Sequence, residues 1–181
     1  MERSMLLYTS RLILRELRED DLAALAAYMA DPIVTDHLCH GPLTPEACRN
    51  YLAAAIDQRS APDRATYHLA IARPPGEELI GSCQLAITSA THREGSLGYI
   101  LNRHSWGLGY GGEAARALLA AGFGTLGLHR ITAQCNPANL RSIRVLEKLG
   151  MRYEGRLRQH KWCKGAWRDS NLYAVLSDEW V

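Results

Sequence analysis

The chain has 181 residues, 47% of them hydrophobic and 22% charged, and a formal net charge of +2. That is enough for one domain over 1–181 with a sizeable core, and so small a charge gives no reason to expect a nucleic-acid or acidic-membrane partner. No apolar run reaches membrane-spanning length and the charged start MERSM lacks a signal-peptide apolar stretch, so a cytoplasmic protein is expected. Five scattered cysteines, Cys39, Cys48, Cys83, Cys135 and Cys163, show no C-x-x-C spacing. They read as reduced thiols used for packing.

In chain order, RLILRE at 11–16 has a β-branched residue between polar flanks and reads as a strand. Glu19, Asp20 and Asp21 open a helix with Leu22, Leu25, Ala26 and Met29 on one face, and Asp31-Pro32 ends it. A loop over 35–42 leads to a second helix, with Thr44 as N-cap and Pro45 at its first position, running to about Arg59. Strands at 66–72 and 79–88 form a hairpin through Pro74-Pro75-Gly76, and 97–101 is a further strand. After a glycine-rich stretch comes a helical run to Phe123, then a strand at 129–135. A helix over 139–149 is stopped by Gly150, and two closing strands turn near Lys164-Gly165. Strands and helices interleave. The fold class that follows is α+β, a mixed central sheet with helices on both faces.

The glycine-rich stretch is Trp106, Gly107, Leu108, Gly109, Tyr110, Gly111, Gly112, Glu113 and Ala114, followed by strong helix formers. Glycine lets backbone turn sharply and approach a ligand closely. At a helix N-terminus the unpartnered N–H groups and the macrodipole make a seat for phosphate or pyrophosphate, although a plain strand–helix turn would use the same residues. No Lys-Ser/Thr pair follows, which rules out a P-loop, and the glycine spacing does not match G-x-G-x-x-G.

The stretch resembles the [Q/R]-x-x-G-x-[G/A] coenzyme A loop of the GNAT N-acetyltransferases, with Trp106, Gly109 and Gly111 at its three positions and Trp in place of Gln/Arg. Its form is similar to that of the ribosomal-protein N-terminal acetyltransferase (RimJ/RimL-like) branch. RLILR with Glu19-Asp20-Asp21, LGYI at 97–100, the NLRSIRVLEKLGMRYEG segment at 139–155 and the closing Gly165, Asp169 and Tyr173 resemble further motifs of that branch. The resemblance implies the layered α/β/α GNAT fold, in which strands at 97–101 and Arg130–Cys135 splay into a V that admits acetyl-CoA.

It further implies a pyrophosphate seated on the N–H groups of Gly107 to Gly112, and pantetheine paired like an added strand beside Ile100, Leu101 and Asn102. A backbone N–H near Ile100 or Leu101 would polarise the thioester carbonyl, work that an ordinary buried strand can also do. Ser142 matches the family serine that protonates the leaving thiolate, and packing or back-bonding in its helix is the other reading. Where other members carry a thiol-protonating Tyr, Leu146 stands here. Asn139 matches a coenzyme-contacting residue and suits a helix N-cap equally. Glu113 is read as structural, complementing the helix dipole.

The base is less legible, because Ser96 and Lys161 stand where relatives carry Glu. Glu94, His37, His160 or a water chain would have to take the amine's proton. His37-Leu38-Cys39-His40 has too few ligands in reach for a metal site, so none is expected, and a loop bordering the acceptor cleft is preferred. Arg156, Arg158, His160, Lys161 and Lys164 form either a solvated face or a surface for the coenzyme's 3′-phosphate or an acidic protein. Trp162 and Trp167 serve as an acceptor wall or as strand packing. The resemblance implies acetyl transfer from acetyl-CoA, without a metal, to a primary amine, most plausibly a protein N-terminus. Small amines and a non-catalytic acetyl-CoA sensor are the alternatives, and a homodimer stays open.

Overall fold

The computed structural model describes residues 4–180; residues 1–3 of the charged start and residue 181 lie outside the described residues. The elements are β1 (Leu7–Tyr8), β2 (Ile13–Glu16), α1 (Leu22–Met29), α2 (Pro32–Thr35), α3 (Pro45–Arg59), β3 (Thr66–Arg73), β4 (Glu78–Ser89), β5 (Glu94–Leu101), α4 (Tyr110–Ala120), β6 (Arg130–Cys135), α5 (Leu140–Lys148), β7 (Arg152–Cys163) and β8 (Ala166–Leu176). The strands form one sheet in the order β1-β2-β3-β4-β5-β6-β8-β7. Every neighbouring pair is antiparallel except β5 and β6. A parallel pair needs a crossover, and α4 supplies it.

Local chemistry sets most boundaries. Thr44 Oγ1 accepts from Ala47 N–H at 3.2 Å with Pro45 in the first turn of α3. Asn139 Oδ1 accepts from Ser142 N–H at 3.1 Å at the start of α5. Asp31-Pro32, expected only as a stop, also starts the one-turn α2, because Asp31 Oδ1 accepts from Ile33 N–H at 2.9 Å and Pro32 is pre-set for a first turn. The helical run to Phe123 is α-helical only through Ala120; residues Ala121–Thr125 widen into a π turn. Gly122 allows that turn to lie against the sheet, since a Cβ there would stand 2.5 Å from Ile131 Cδ1.

Two cores lie on opposite faces of the sheet. On one, Leu14, Leu69, Leu85, Leu97 and Ile131 pack against Ala114 and Leu118 of α4 and Leu146 of α5. On the other, Ala70 and Leu79 meet Leu25 and Met29 of α1 and Cys48 and Leu52 of α3. Two buried bidentate ion pairs hold β2 to its surroundings. Arg15 grips Asp21 at 2.8 Å through both nitrogens, and Arg64 grips Glu16 at 3.0 and 2.9 Å.

The feature that positions the site is a rupture in the sheet. β5 and β6 pair from Glu94 with Arg130 to Leu97 with Ala133 and no further. β5 nevertheless stays on β4 to Leu101, and β6 stays on β8 to Cys135. Past Leu97 each strand follows its outer neighbour, and the sheet opens as a V with helices on both faces.

Candidate active site

The open end of the V leads into a cavity of about 740 Å³. Its lining includes Tyr99, Cys135, Asn139, Ser142 and Leu146, together with Met29, His37, His40, Tyr51, Lys161 and Arg168. Along β5, Asn102 N–H donates to Ile80 O at 2.8 Å, and Ile100 is paired with Ser82. Alternate residues of an antiparallel strand bond to the same neighbour. Ile100 and Asn102 therefore turn their backbone groups toward β4, and Tyr99 and Leu101 turn theirs into the gap. Asn102 is further committed, its C=O to Ser105 N–H at 2.9 Å and its Oδ1 to His104 N–H at 3.1 Å. Of the three residues expected to pair with pantetheine, only Leu101 faces the gap, and Tyr99 joins it. Leu101 C=O accepts from Trp106 Nε1 at 2.9 Å, which leaves the Leu101 N–H and both backbone groups of Tyr99 directed into the V.

The glycine loop crosses the mouth of the gap. Gly107 and Gly109 have φ of +78° and +86°, conformations that favour glycine, and Gly109 is the N-cap of α4. Glu113 N–H is bonded to Gly109 O at 3.1 Å. The N–H groups of Tyr110, Gly111 and Gly112 precede that first bond and stand at the positive end of the helix. Gly111 is needed for packing as well, because a Cβ there would lie 2.8 Å from Tyr99 Cε2. Leu108, at the loop's crest, is half exposed, and its C=O accepts from Arg11 Nη1 at 3.0 Å.

Glu113 fastens this loop to the β1–β2 turn. Its carboxylate accepts from Thr9 Oγ1 at 2.6 Å, Ser10 Oγ at 3.1 Å, and Arg11 N and Nε at 2.9 and 2.8 Å. Burial works against its ionisation, but these bonds outweigh it and hold the carboxyl below its ordinary range. Its role is the structural one expected. Asn139 keeps its N-cap bond, which leaves its amide N–H groups for the cavity. Ser142 and Tyr99 line the same cavity, and the ionisation of the Tyr99 phenol is pushed up chiefly by burial. No local sign in the sequence marks Tyr99 and Ser142 as lining one cavity, because they come from different elements.

The acceptor side corrects several expectations. Cys39 and Cys163 are joined in a disulfide across 124 residues, with Cα atoms 4.4 Å apart. They are not free thiols, whereas Cys48, Cys83 and Cys135 are free and buried as expected. The disulfide ties the loop before α3 to the tip of the β7–β8 hairpin. Lys164 Nζ adds a bond to Thr35 O at 2.8 Å, and Arg168 Nη1 adds bonds to Asp36 O and Leu38 O at 3.2 and 3.4 Å. Trp162 and Trp167 stack edge-on at 5.4 Å, remain exposed, and are not lining residues of the cavity. Their neighbours in the strands, Lys161 and Arg168, line it instead.

Among the expected proton acceptors, Glu94 is paired with Arg130 at 3.3 Å, and His160 is held by Ser170 Oγ at 3.1 Å outside the lining. His37 lines the cavity with Asp36 at 3.7 Å. His40, not singled out as a base from sequence, lines it too. Burial first, and then nearby Lys164, hold its imidazole below the ordinary value of 6.5, so it stands neutral at pH 7.

A family model described as "Acetyltransferase (GNAT) domain" matches residues 11–152. An uncharacterized N-acetyltransferase p20 of Bacillus licheniformis is 32% identical over 175 residues, covering 97% of this chain and 98% of that protein. The [ribosomal protein uS5]-alanine N-acetyltransferase of Escherichia coli is 27% identical over 185 residues, covering 97% and 92%. The structure of Mycobacterium smegmatis RimJ in complex with CoA-disulfide superposes with a TM-score of 0.82 at 26% identity, covering 93% of this chain and 83% of that one. A sheet opened between its one parallel pair, a glycine-led helix at the opening and a match over most of the length agree: the chain belongs to the GNAT superfamily, has its fold, and is an N-acetyltransferase that uses acetyl-CoA.

Proposed function

We propose that the protein transfers the acetyl group of acetyl-CoA to the α-amino group of a protein N-terminus. The observation that carries the reading is the broken β5–β6 ladder. It leaves backbone of Tyr99 and Leu101 directed into a gap that adjoins a glycine-led helix end and a cavity lined by Ser142. The residues fit the coenzyme. Gly107 and Gly109 hold backbone conformations that bare N–H groups, and no side chain covers them from Gly111 or Gly112. Asn139 supplies further donors. Leu101 N–H polarises the thioester carbonyl, and Ser142 donates to the departing sulfur. His40 receives the proton of the attacking amine, an assignment supported by its neutral state and its place in the lining. An α-amine, with an ordinary pKa of about 8, needs less help to lose that proton than an alkylamine near 10. The uS5-alanine N-acetyltransferase supports the choice of acceptor class.

The test is thiol release from acetyl-CoA against two pools, short peptides with free N-termini and small polyamines or aminoglycosides, with acetyl-CoA binding measured in the same sample. Release with peptides alone is expected. Release with small amines alone would overturn the acceptor, and binding without release from either pool would favour a sensor.

A further inference from the structure

The walls of the acceptor cavity carry a charge pattern that a bare α-amine does not explain. Two carboxylates reach the lining, and both are neutralised by arginines of the protein. Glu94 is paired with Arg130, and Asp169 accepts from Arg156 Nε at 2.7 Å and from Gln159 N–H at 2.8 Å. Two cations of the same lining are not neutralised. Lys161 and Arg168 both line the cavity, and among the described residues neither forms an ion pair. Arg168 is oriented by two backbone carbonyls, of Asp36 and Leu38, which fix the guanidinium while leaving its charge intact.

These two cations are also direct cross-strand partners in the β7–β8 hairpin. Like charges placed opposite each other in a sheet are destabilising. Lys164, three residues on, adds a third positive charge above the same loop and contributes to keeping His40 neutral. A hairpin that sets two unpaired cations in the lining of this cavity is complementary to an anion bound there.

We propose that the acceptor is a peptide N-terminus carrying a carboxylate within its first two residues, and that Lys161 and Arg168 receive that carboxylate. The proposal rests on the N-terminal reading above and names the acceptor's chemistry. Arg168, held by carbonyls, gives the fork that fixes orientation. Lys161, on an exposed stretch of β7, supplies a mobile point charge and sets selectivity. Polyamines and peptides with a second-position Lys meet repulsion at the same place.

The experiment compares kcat/KM for thiol release with Ala-Glu, Ala-Gln and Ala-Lys peptides of otherwise identical sequence, and with free glutamate, in wild type, Lys161→Gln and Lys161→Glu. Ala-Glu is expected to exceed Ala-Gln by about fivefold, the upper end for a charge pair with one side in water. The difference should sit in KM and shrink at high salt. Lys161→Gln should narrow it, and Lys161→Glu should reverse it in favour of Ala-Lys. Because Lys161 is exposed, both variants are expected to fold, and calorimetry with coenzyme A and each peptide reads the same preference without turnover. Equal use of the three peptides by wild type, or an acidic preference that survives Lys161→Glu, would overturn the proposal while the N-terminal reading stands. Use of free glutamate with none of the peptides would overturn the N-terminal reading itself, and with it the peptide acceptor.

Discussion

Gly111 carries two duties that can be separated by comparison with its neighbour. Both Gly111 and Gly112 lie in the first turn of α4 at ordinary helical φ, so alanine at either gains about 0.5–1 kcal/mol of helix preference. At 112 the new methyl would meet only Val145 Cγ1, at 3.9 Å, which is ordinary contact. At 111 it would stand 2.8 Å from Tyr99 Cε2 and 3.4 Å from Cδ2 and Cζ. The ring has to move, at an overpacking cost of about 1–3 kcal/mol. The helix term cancels between the two variants, leaving that cost as their difference. For a chain of this length 1 kcal/mol moves the melting temperature by about 2–4 °C, so Gly111→Ala should melt about 2–12 °C below Gly112→Ala. A thermal melt of ligand-free protein measures this. Displacing the ring also disturbs the backbone bordering the gap, so acetyl-CoA should bind Gly111→Ala more weakly in calorimetry. Adding Tyr99→Leu should recover part of the lost stability, since the two sites are coupled. Equal melting of the two alanine variants would refute the packing argument.

Ser142→Ala should lower kcat with little change in acetyl-CoA affinity, and unchanged turnover would return Ser142 to a packing role. His68, whose Nδ1 is buried, is held below its ordinary 6.5, chiefly by burial and then by nearby Arg64. In the window between the folded and unfolded values the unfolded chain binds more protons, so stability is full above about pH 6.5 and falls as pH drops through the folded value. Melts from about pH 8 to about pH 5 check this, and a flat profile would contradict it. In the folded protein, alkylation after mild reduction should label the exposed Cys39 first, ahead of its buried partner Cys163. Cys48, Cys83 and Cys135 are buried, and burial pushes the Cys135 thiol up to about 11. Opening the disulfide, which closes a loop of over a hundred residues, should cost about 2–4 kcal/mol of stability.

The parts legible in the sequence were those set by near neighbours. Thr44-Pro45, Asn139 and the run of glycines before a helix-forming stretch each act within one turn of chain, and each element they mark is present. β1 is only two residues long, too short for alternation to register, and exists because Leu7 pairs with Leu14. The candidate site was legible where the loop defines it. It was not where the lining comes from distant segments: Tyr99 against Gly111, Cys39 against Cys163, Lys161 beside Arg168. The alternation of β7 and β8 gave the two tryptophans and the two cations opposite faces, but only the folded hairpin fixes which face meets the cavity.

Trp106 stands where the resembling loops begin with Gln or Arg, and the exchange has a mechanical meaning. Its indole packs against both cores at once, is covered by Arg141 at 4.7 Å and holds the last carbonyl of β5. Ligand-binding loops commonly belong to the least stable, most readily opened part of a protein. Here the loop's first residue is anchored in the most stable part. Its backbone amides should therefore be protected nearly as long as those of the sheet, and the coenzyme meets a seat already set rather than one it must order on arrival.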